Sequence, residues 1–403
     1  MDAPDDDVGD GHQPPVLPPR VPILAIVGRW LLIGVTGFGG PPAHIALLRR
    51  LCVTDKKWIT DTEFEDGIAA TNLLPGPAST QLAIYCAWRL RGVVGAVLGG
   101  MCFIVPGLVI VLGLSVLLLS GHPAGPVLGA AAGAGAAVAA VALHAAVGLM
   151  PPSWRRAGTR RLARARWLGY LAAGTAAAAF LGPWLVLVLI GCGLVEATSM
   201  CRAGLPPGPR ALRGLPVLAA PLTLGSGWPA IAWVALKVGA LSFGGGFVII
   251  PLMQADAVHH YHWMSAGQFL YAVALGQITP GPVVQTVAVV GYAAAGIGGG
   301  LVAAVLAFTP SFLVVLAGAR RFDRLRGNAT VRAFLAGAGP AAIGAIAGSA
   351  ILLAGAISHL WQIPVLAAAT IWLLAARRGV VSALLGAAVL GVLAALAGLP
   401  VTS

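Results

Sequence analysis

Long apolar stretches recur from residue 22 to near the end of the chain, parted by short polar or basic breaks. Apolar runs of about 18 residues are the signature of helices that cross a bilayer. The pattern therefore predicts a series of membrane helices. The first span covers 22–40 and ends at Phe38-Gly39-Gly40. Residues 41–59 read as an amphipathic, basic connection with Arg49, Arg50, Lys56 and Lys57. Two shorter apolar segments follow, then spans over 92–120 and 126–150, an arginine-rich loop, and a short pair over 167–182 and 183–199. Beyond a connection rich in Pro, Gly and Arg over 200–227, the order repeats. It runs through 228–247, a loop to 264, a broken pair over 265–293, spans over 296–318 and 333–357, and a last short pair over 363–376 and 379–398.

The shorter segments of the first half, Thr60–Leu73 and Pro77–Trp88, hold 14 and 12 residues. As helices they reach about 21 Å and about 18 Å, short of a hydrocarbon core about 30 Å thick. Between them Pro75 lacks an amide proton and drives Leu74 out of helical geometry. Gly76 permits a turn, and Pro77 suits the first position of a new helix. The stretch reads as helix, break, helix at membrane depth, where irregular backbone survives only if buried in protein or lining a polar cavity. The new helix would aim the amides of Ala78, Ser79 and Thr80, with the positive end of its dipole, at whatever fills that cavity. Such a place suits an anion.

The break has a twin. Gln277-Ile278-Thr279-Pro280-Gly281-Pro282-Val283-Val284-Gln285 repeats it 205 residues later, since 280 − 75 = 205. The same offset pairs Phe38-Gly39-Gly40 with Phe243-Gly244-Gly245, Trp58 with Trp263, Phe64 with Phe269 and Phe103 with Phe308, without a gap. Thr60–Glu63 and Ser265–Gln268 both read as capping boxes. The chain is expected to be a tandem duplication: an acidic, disordered tail over 1–20 that is not a signal peptide, a first repeat over 21–199, a connection over 200–227, and a second repeat over 228–403.

Composition agrees with the pattern. With 58% hydrophobic and 9% charged residues, the chain is far from a soluble domain, where about a quarter of residues are charged. A net charge of +12 would point to nucleic acid in a soluble protein. Here the Lys and Arg sit in loops, so the positive-inside rule accounts for them and no nucleic acid is expected. The five cysteines Cys52, Cys86, Cys102, Cys192 and Cys201 have no CxxC spacing and predict no disulfide or metal framework. Lys56 and Lys57 precede the first broken pair, and Arg89 and Arg91 follow it. The loop before the second pair has no Lys or Arg, and 319–332 has five Arg. Each repeat then has five crossings plus a re-entrant hairpin, which places the halves upside down to each other with both termini outside.

These motifs resemble a known family. Phe38-Gly39-Gly40-Pro41-Pro42-Ala43-His44-Ile45, Leu73-Leu74-Pro75-Gly76-Pro77-Ala78-Ser79-Thr80-Gln81, Phe243-Gly244-Gly245-Gly246 and Thr279-Pro280-Gly281-Pro282 look like the paired signatures of the chromate ion transporters, in the long-chain form with two domains. The resemblance runs over about 22–398. It implies an all-α polytopic membrane protein with two inverted-topology repeats that carries chromate, and sulfate-like oxyanions as relatives in substrate class. It implies efflux and chromate resistance, in the bacterial plasma membrane. Asn72 departs from the glutamine that many members place before the first break; Gln277 keeps it in the second half. This makes the half-sites unequal.

The candidate substrate site then comprises Asn72, Pro75, Gly76, Pro77, Ser79, Thr80 and Gln81 in the first half, and Gln277, Thr279, Pro280, Gly281, Pro282 and Gln285 in the second. The turns Phe38, Gly39, Gly40 and Phe243, Gly244, Gly245 flank it. The alternative is that the hydroxyls and amides only satisfy backbone freed by proline. Arg29 and Lys237 lie in the first span of each repeat and map three residues apart, 237 − 205 = 32, on one helical face. The deeper Lys237 is favoured as the anion's charge partner, and Arg29 lies near enough to the span's start to snorkel. For proton coupling, Glu63, Glu65 and Asp66 are best placed. His259, His260 and His262 fit no single helical face, so neither a metal nor a cofactor is expected. The expected partners are a small inorganic oxyanion and the lipid bilayer, with a homodimer as candidate assembly. A gated anion channel is the competing function; no constellation for an enzyme lies at a span centre.

Overall fold

The computed structural model describes residues 21–71, 74, 76–119, 121, 123–201, 227–242, 246–318 and 329–401. Expectations about the 1–20 tail, Asn72, Pro75, most of the 200–227 connection and Phe243-Gly244-Gly245 lie outside them. Every regular element among the described residues is helical. The first half holds α1 (Ile23–Thr36), α2 (Pro41–Arg49), α3 (Asp61–Thr71), α4 (Ala78–Leu119), α5 (Gly125–Arg156), α6 (Arg161–Phe180) and α7 (Leu185–Cys201). The second holds α8 (Trp228–Leu241), α9 (Ile249–Gln254), α10 (Ala266–Ile278), α11 (Thr286–Gly318), α12 (Ala329–Gly355), α13 (Gln362–Thr370) and α14 (Val380–Leu396). Four of the apolar helices are long enough to cross a membrane: Ala78–Leu119, Gly125–Arg156, Val283–Gly318 and Ala329–Gly355. Leu24, Val109, Phe180, Val305 and Leu360 are more than half exposed, an apolar exterior that suits lipid. The chain is an all-α polytopic membrane protein.

The expected loop before 264 is helical instead, and so is the amphipathic stretch 41–59. Residues 41–59 contain α2 and a wide turn over Arg50–Asp55 in which Lys56 N–H reaches the carbonyl of Leu51 at 3.1 Å. The expected loop before 264 contains α9 and the same wide turn over Ala255–His260, closed by Tyr261 N–H on Asp256 O at 2.8 Å. The physical reason is the pair of glycines ahead of α2: Gly39 and Gly40, at φ +100° and +72°, redirect the chain without ending helix formation. Accordingly α1 stops at Thr36, and α1 and α8 have 14 residues each, about 21 Å. Each is half of a second broken helix.

Local structure repeats closely between the halves. α1 and α8, and the two wide turns, have identical bounds at the 205-residue offset. Lys57 and His262 share a left-handed backbone, at φ 50° and 53°. Both capping boxes form, Thr60 with Glu63 and Ser265 with Gln268. The breaks at Gly76 and Gly281 take φ +120° and +102°. Past the breaks the offset becomes 204. The kinks fall at Arg91/Gly92 and Ala295/Gly296, and the internal prolines at Pro106 and Pro310. At the offset that the kinks and prolines share, the structural partner of Phe103 is Ala307, and the gapless pairing with Phe308 is corrected. One residue is missing after the second break, where a tight turn over Val283–Gln285 replaces the first α-helical turn.

At the kinks the chain doubles back. Gly95 and Gly99 abut Ala87, and Gly100 abuts Ile84; in a straight helix such pairs would lie about 12–24 Å apart. The arm over 78–90 therefore pairs with α3 as a hairpin. Gly67 faces Tyr85 and Leu82, and Glu63 pairs with Arg89 across the hairpin's open end. The halves also interlock. α6 and α7 of the first half pack on α12 of the second, while α13 and α14 pack on α5. Glycines let these backbones meet: Gly174 and Gly344 lie against Ala341 and Leu171, and Gly129 against Gly391. This is how membrane helices associate without a hydrophobic driving force.

Candidate functional site

Both breaks are buried, as irregular backbone at membrane depth must be. Gly76, Pro77, Ser79, Thr80 and Gln81 are buried, as are Gln277, Thr279, Pro280, Gly281, Pro282 and Gln285. Ala78, Ser79 and Thr80 are the first residues of α4, so no carbonyl of their own helix reaches their amides. The first such bond is Gln81 N–H to Pro77 O, at 3.0 Å.

Each break is walled by the long helix of the other half. Gly107, on α4, lies against the carbonyl of Pro280 and the side chain of Gln285. Ser311, on α11, lies against Gly76, its Oγ 3.0 Å from where a Cβ there would stand. The two positions correspond at the shifted offset, since 311 − 107 = 204. Gln285 Nε2 donates to Ile104 O at 2.7 Å, and Gly281 N–H to Gly37 O at 3.0 Å. His44, fully buried, also bonds Gly37 O through Nε2 at 2.9 Å and meets Phe103 edge-on at 5.0 Å. Gly40 approaches Val283, and Gly246 approaches both Val283 and Val284. The structure thus brings the turn after α1 to the second break. Gly39 and Phe38 at that turn are exposed.

The cations behave differently from the expectation of one shared face. Arg29 is exposed on α1, whereas Lys237 is buried and ion-paired with Asp256, itself 4% exposed. The reason is tertiary. α9 and the turn after it cover that face of α8, and the first-half counterparts of the pair are leucines, Leu32 and Leu51. Of the acids expected for proton coupling, Glu65 pairs with Arg49, beside Asp61, and Glu63 with Arg89, both at the hairpin's rim. Partial burial works to raise the Glu63 carboxyl, but the Thr60 amide and the Arg89 guanidinium outweigh it and hold it below the ordinary glutamate value. Among the described residues no cluster of His, Cys, Asp and Glu could hold a metal ion.

Asp256, His44, Gly107 and Ser311 escaped the sequence reading as site residues. Pro106-Gly107 and Pro310-Ser311 repeat at the 204 offset, a signal that a gapped comparison of the halves would have found.

The comparisons with known proteins come to rest on this plan. A family model described as chromate transporter matches residues 24–197 and 229–397, the two halves in turn. A chromate transport protein of Cupriavidus metallidurans is 34% identical over 357 residues, covering 83% of this chain and 84% of that protein. One from Pseudomonas aeruginosa is 31% identical over 354 residues, 84% of this chain and 82% of its own. A probable chromate transport protein of Synechococcus elongatus is 30% identical over 83% of this chain and 85% of its own. No solved structure matches. On the strength of both halves matching in order, the chain belongs to the chromate transporter family.

Proposed function

We propose that this protein moves chromate, with sulfate-like oxyanions as competitors, outward across the bacterial plasma membrane by alternating access around its two helix breaks. The observation that carries the reading is that each break is buried and walled by a residue of the opposite half, Gly107 or Ser311. A relative movement of the halves would then remake both sites together. In this reading the halves are inverted, as the loop charges suggest. The candidate residues named around Gly76 and Gly281 hold the anion, and the two Phe-Gly-Gly turns shape the approach.

Lys237 enters the reading with its counter-charge. Its ammonium becomes available to an anion only when Asp256 is protonated or drawn away, so proton and oxyanion would bind in concert. The test is uptake of labelled chromate into inverted vesicles, with and without excess sulfate and with an uncoupler. Accumulation above the equilibrium level, abolished by the uncoupler, supports an energised carrier. Flux that only equilibrates the two sides would make the protein a gated anion channel instead.

A further inference from the structure

The two breaks are unequal in the hydrogen bonds they leave open. At the second, the donors are already engaged within the protein. Gly281 N–H reaches Gly37 O at 3.0 Å, Gln285 Nε2 reaches Ile104 O at 2.7 Å, Thr286 Oγ1 reaches Val283 O at 2.8 Å, and Thr279 Oγ1 reaches Leu275 O at 2.9 Å. The tight turn also engages Gln285 N–H, with Pro282 O at 2.9 Å. Gln285 Oε1, an acceptor, also stands open there. The unpartnered Gln277 Nε2 and Ser242 Oγ lie at the C-terminal ends of α10 and α8, the negative ends of those helices.

The first break has two open hydroxyls that the second lacks. Thr80 and Ser311 are both 0% exposed, and neither hydroxyl has a hydrogen-bond partner. This is unusual within the chain. The buried hydroxyls of Thr71, Ser115, Thr279, Thr286 and Ser349 each return to a carbonyl three or four residues back. Ser311 has the same option in its own helix and does not take it. Thr80 stands in the first turn of α4, at its positive end, and Ser311 stands beside Gly76. Their counterparts at the second break are Val284 and Gly107, at the 204 offset. A buried hydroxyl without a partner is costly, and an oxyanion would supply two acceptors at once.

We infer that the oxyanion is held at the first break, between the first-turn amides of α4 and the hydroxyls of Thr80 and Ser311, so that Ser311 is a substrate ligand contributed by the opposite half. This rests on the proposed function and names which half-site does the holding. A tetrahedral dianion there would accept from amides and hydroxyls alike. Binding would also tie α11 to the tip of the first hairpin.

The experiment is equilibrium binding of labelled chromate, and separately of sulfate, to the purified full-length protein, with the melting temperature read in the presence and absence of each anion. Hydrogen bonds to a charged group lead us to expect Ser311→Ala and Thr80→Val each to weaken binding roughly tenfold. Both should keep the anion-free melting temperature and lose the anion-induced rise. Thr286→Val, beside the second break and with its hydroxyl already bonded to Val283 O, should bind within about twofold of the parent. Parent-like affinity in both hydroxyl variants, or loss of binding in Thr286→Val alone, overturns the assignment to the first break while leaving an oxyanion transporter. If the parent protein binds neither chromate nor sulfate, the proposed function itself falls and this inference with it.

Discussion

Lys237 and Asp256 form an ion pair inside the second half, each about 5% exposed or less, where the first half has Leu32 and Leu51. The wide helical turn presents Asp256: it sits in the turn's first loop and lends its carbonyl to Tyr261 N–H. Turns of this kind are often found at functional sites. Removing one member of a buried pair strands the other charge, at a cost of about 3–5 kcal/mol. Lys237→Gln and Asp256→Asn should therefore each lower the melting temperature markedly. Lys237→Leu with Asp256→Leu, which restores the first-half state, should recover most of it. Thermal denaturation in detergent checks this, and chromate flux in the double variant tells whether the pair serves transport or only assembly.

Gly76 and Gly281 hold the turn at each hairpin tip with a left-handed backbone, at φ +120° and +102°. A β-branched side chain cannot adopt it without strain, and at Gly76 a Cβ would also press on Gln81 and Ser311. Gly76→Val and Gly281→Val are expected to insert into the membrane at normal abundance and to transport nothing measurable. Quantitative immunoblotting beside vesicle flux separates the two effects. Parent-like flux in both would show that the breaks are not at the heart of transport.

Gly107 and Ser311 occupy corresponding places but should respond differently to alanine. A Cβ on Gly107 would meet the Pro280 carbonyl and Gln285 at distances no packed structure tolerates, so backbone must move. Overpacking of this kind costs about 1–3 kcal/mol, and Gly107→Ala should destabilise by that order. Ser311→Ala removes one oxygen and should leave the anion-free stability unchanged. Melting curves of the two variants side by side give the answer.

Topology is testable without substrate. With the native cysteines removed, single cysteines at Arg160 and Arg332 should be shielded from an impermeant reagent added outside intact cells, and one at His260 should be labelled. Opposite exposure of the Arg160 and Arg332 positions would end the inverted arrangement, because that arrangement puts both on the cytoplasmic face.

Much of this was legible along the chain. Apolar run length, Pro-Gly-Pro punctuation and the capping boxes depend only on near neighbours, so α3, α4, α10 and α11, the two breaks and the duplication could be read directly. The motifs at Phe38, Leu73, Phe243 and Thr279 carried the family. Tertiary structure decided the rest, because the deciding contacts join residues far apart. Whether Lys237 is free or paired depends on a helical turn that folds back over α8. Whether a break offers donors or has engaged them depends on Gly37, Ile104 and Ser311, which reach it from other helices. The gapless offset hid the register past the breaks until the kinks at Arg91/Gly92 and Ala295/Gly296 were in view: one residue lost after Pro282 leaves composition unchanged and moves every later side chain about 100° around its helix.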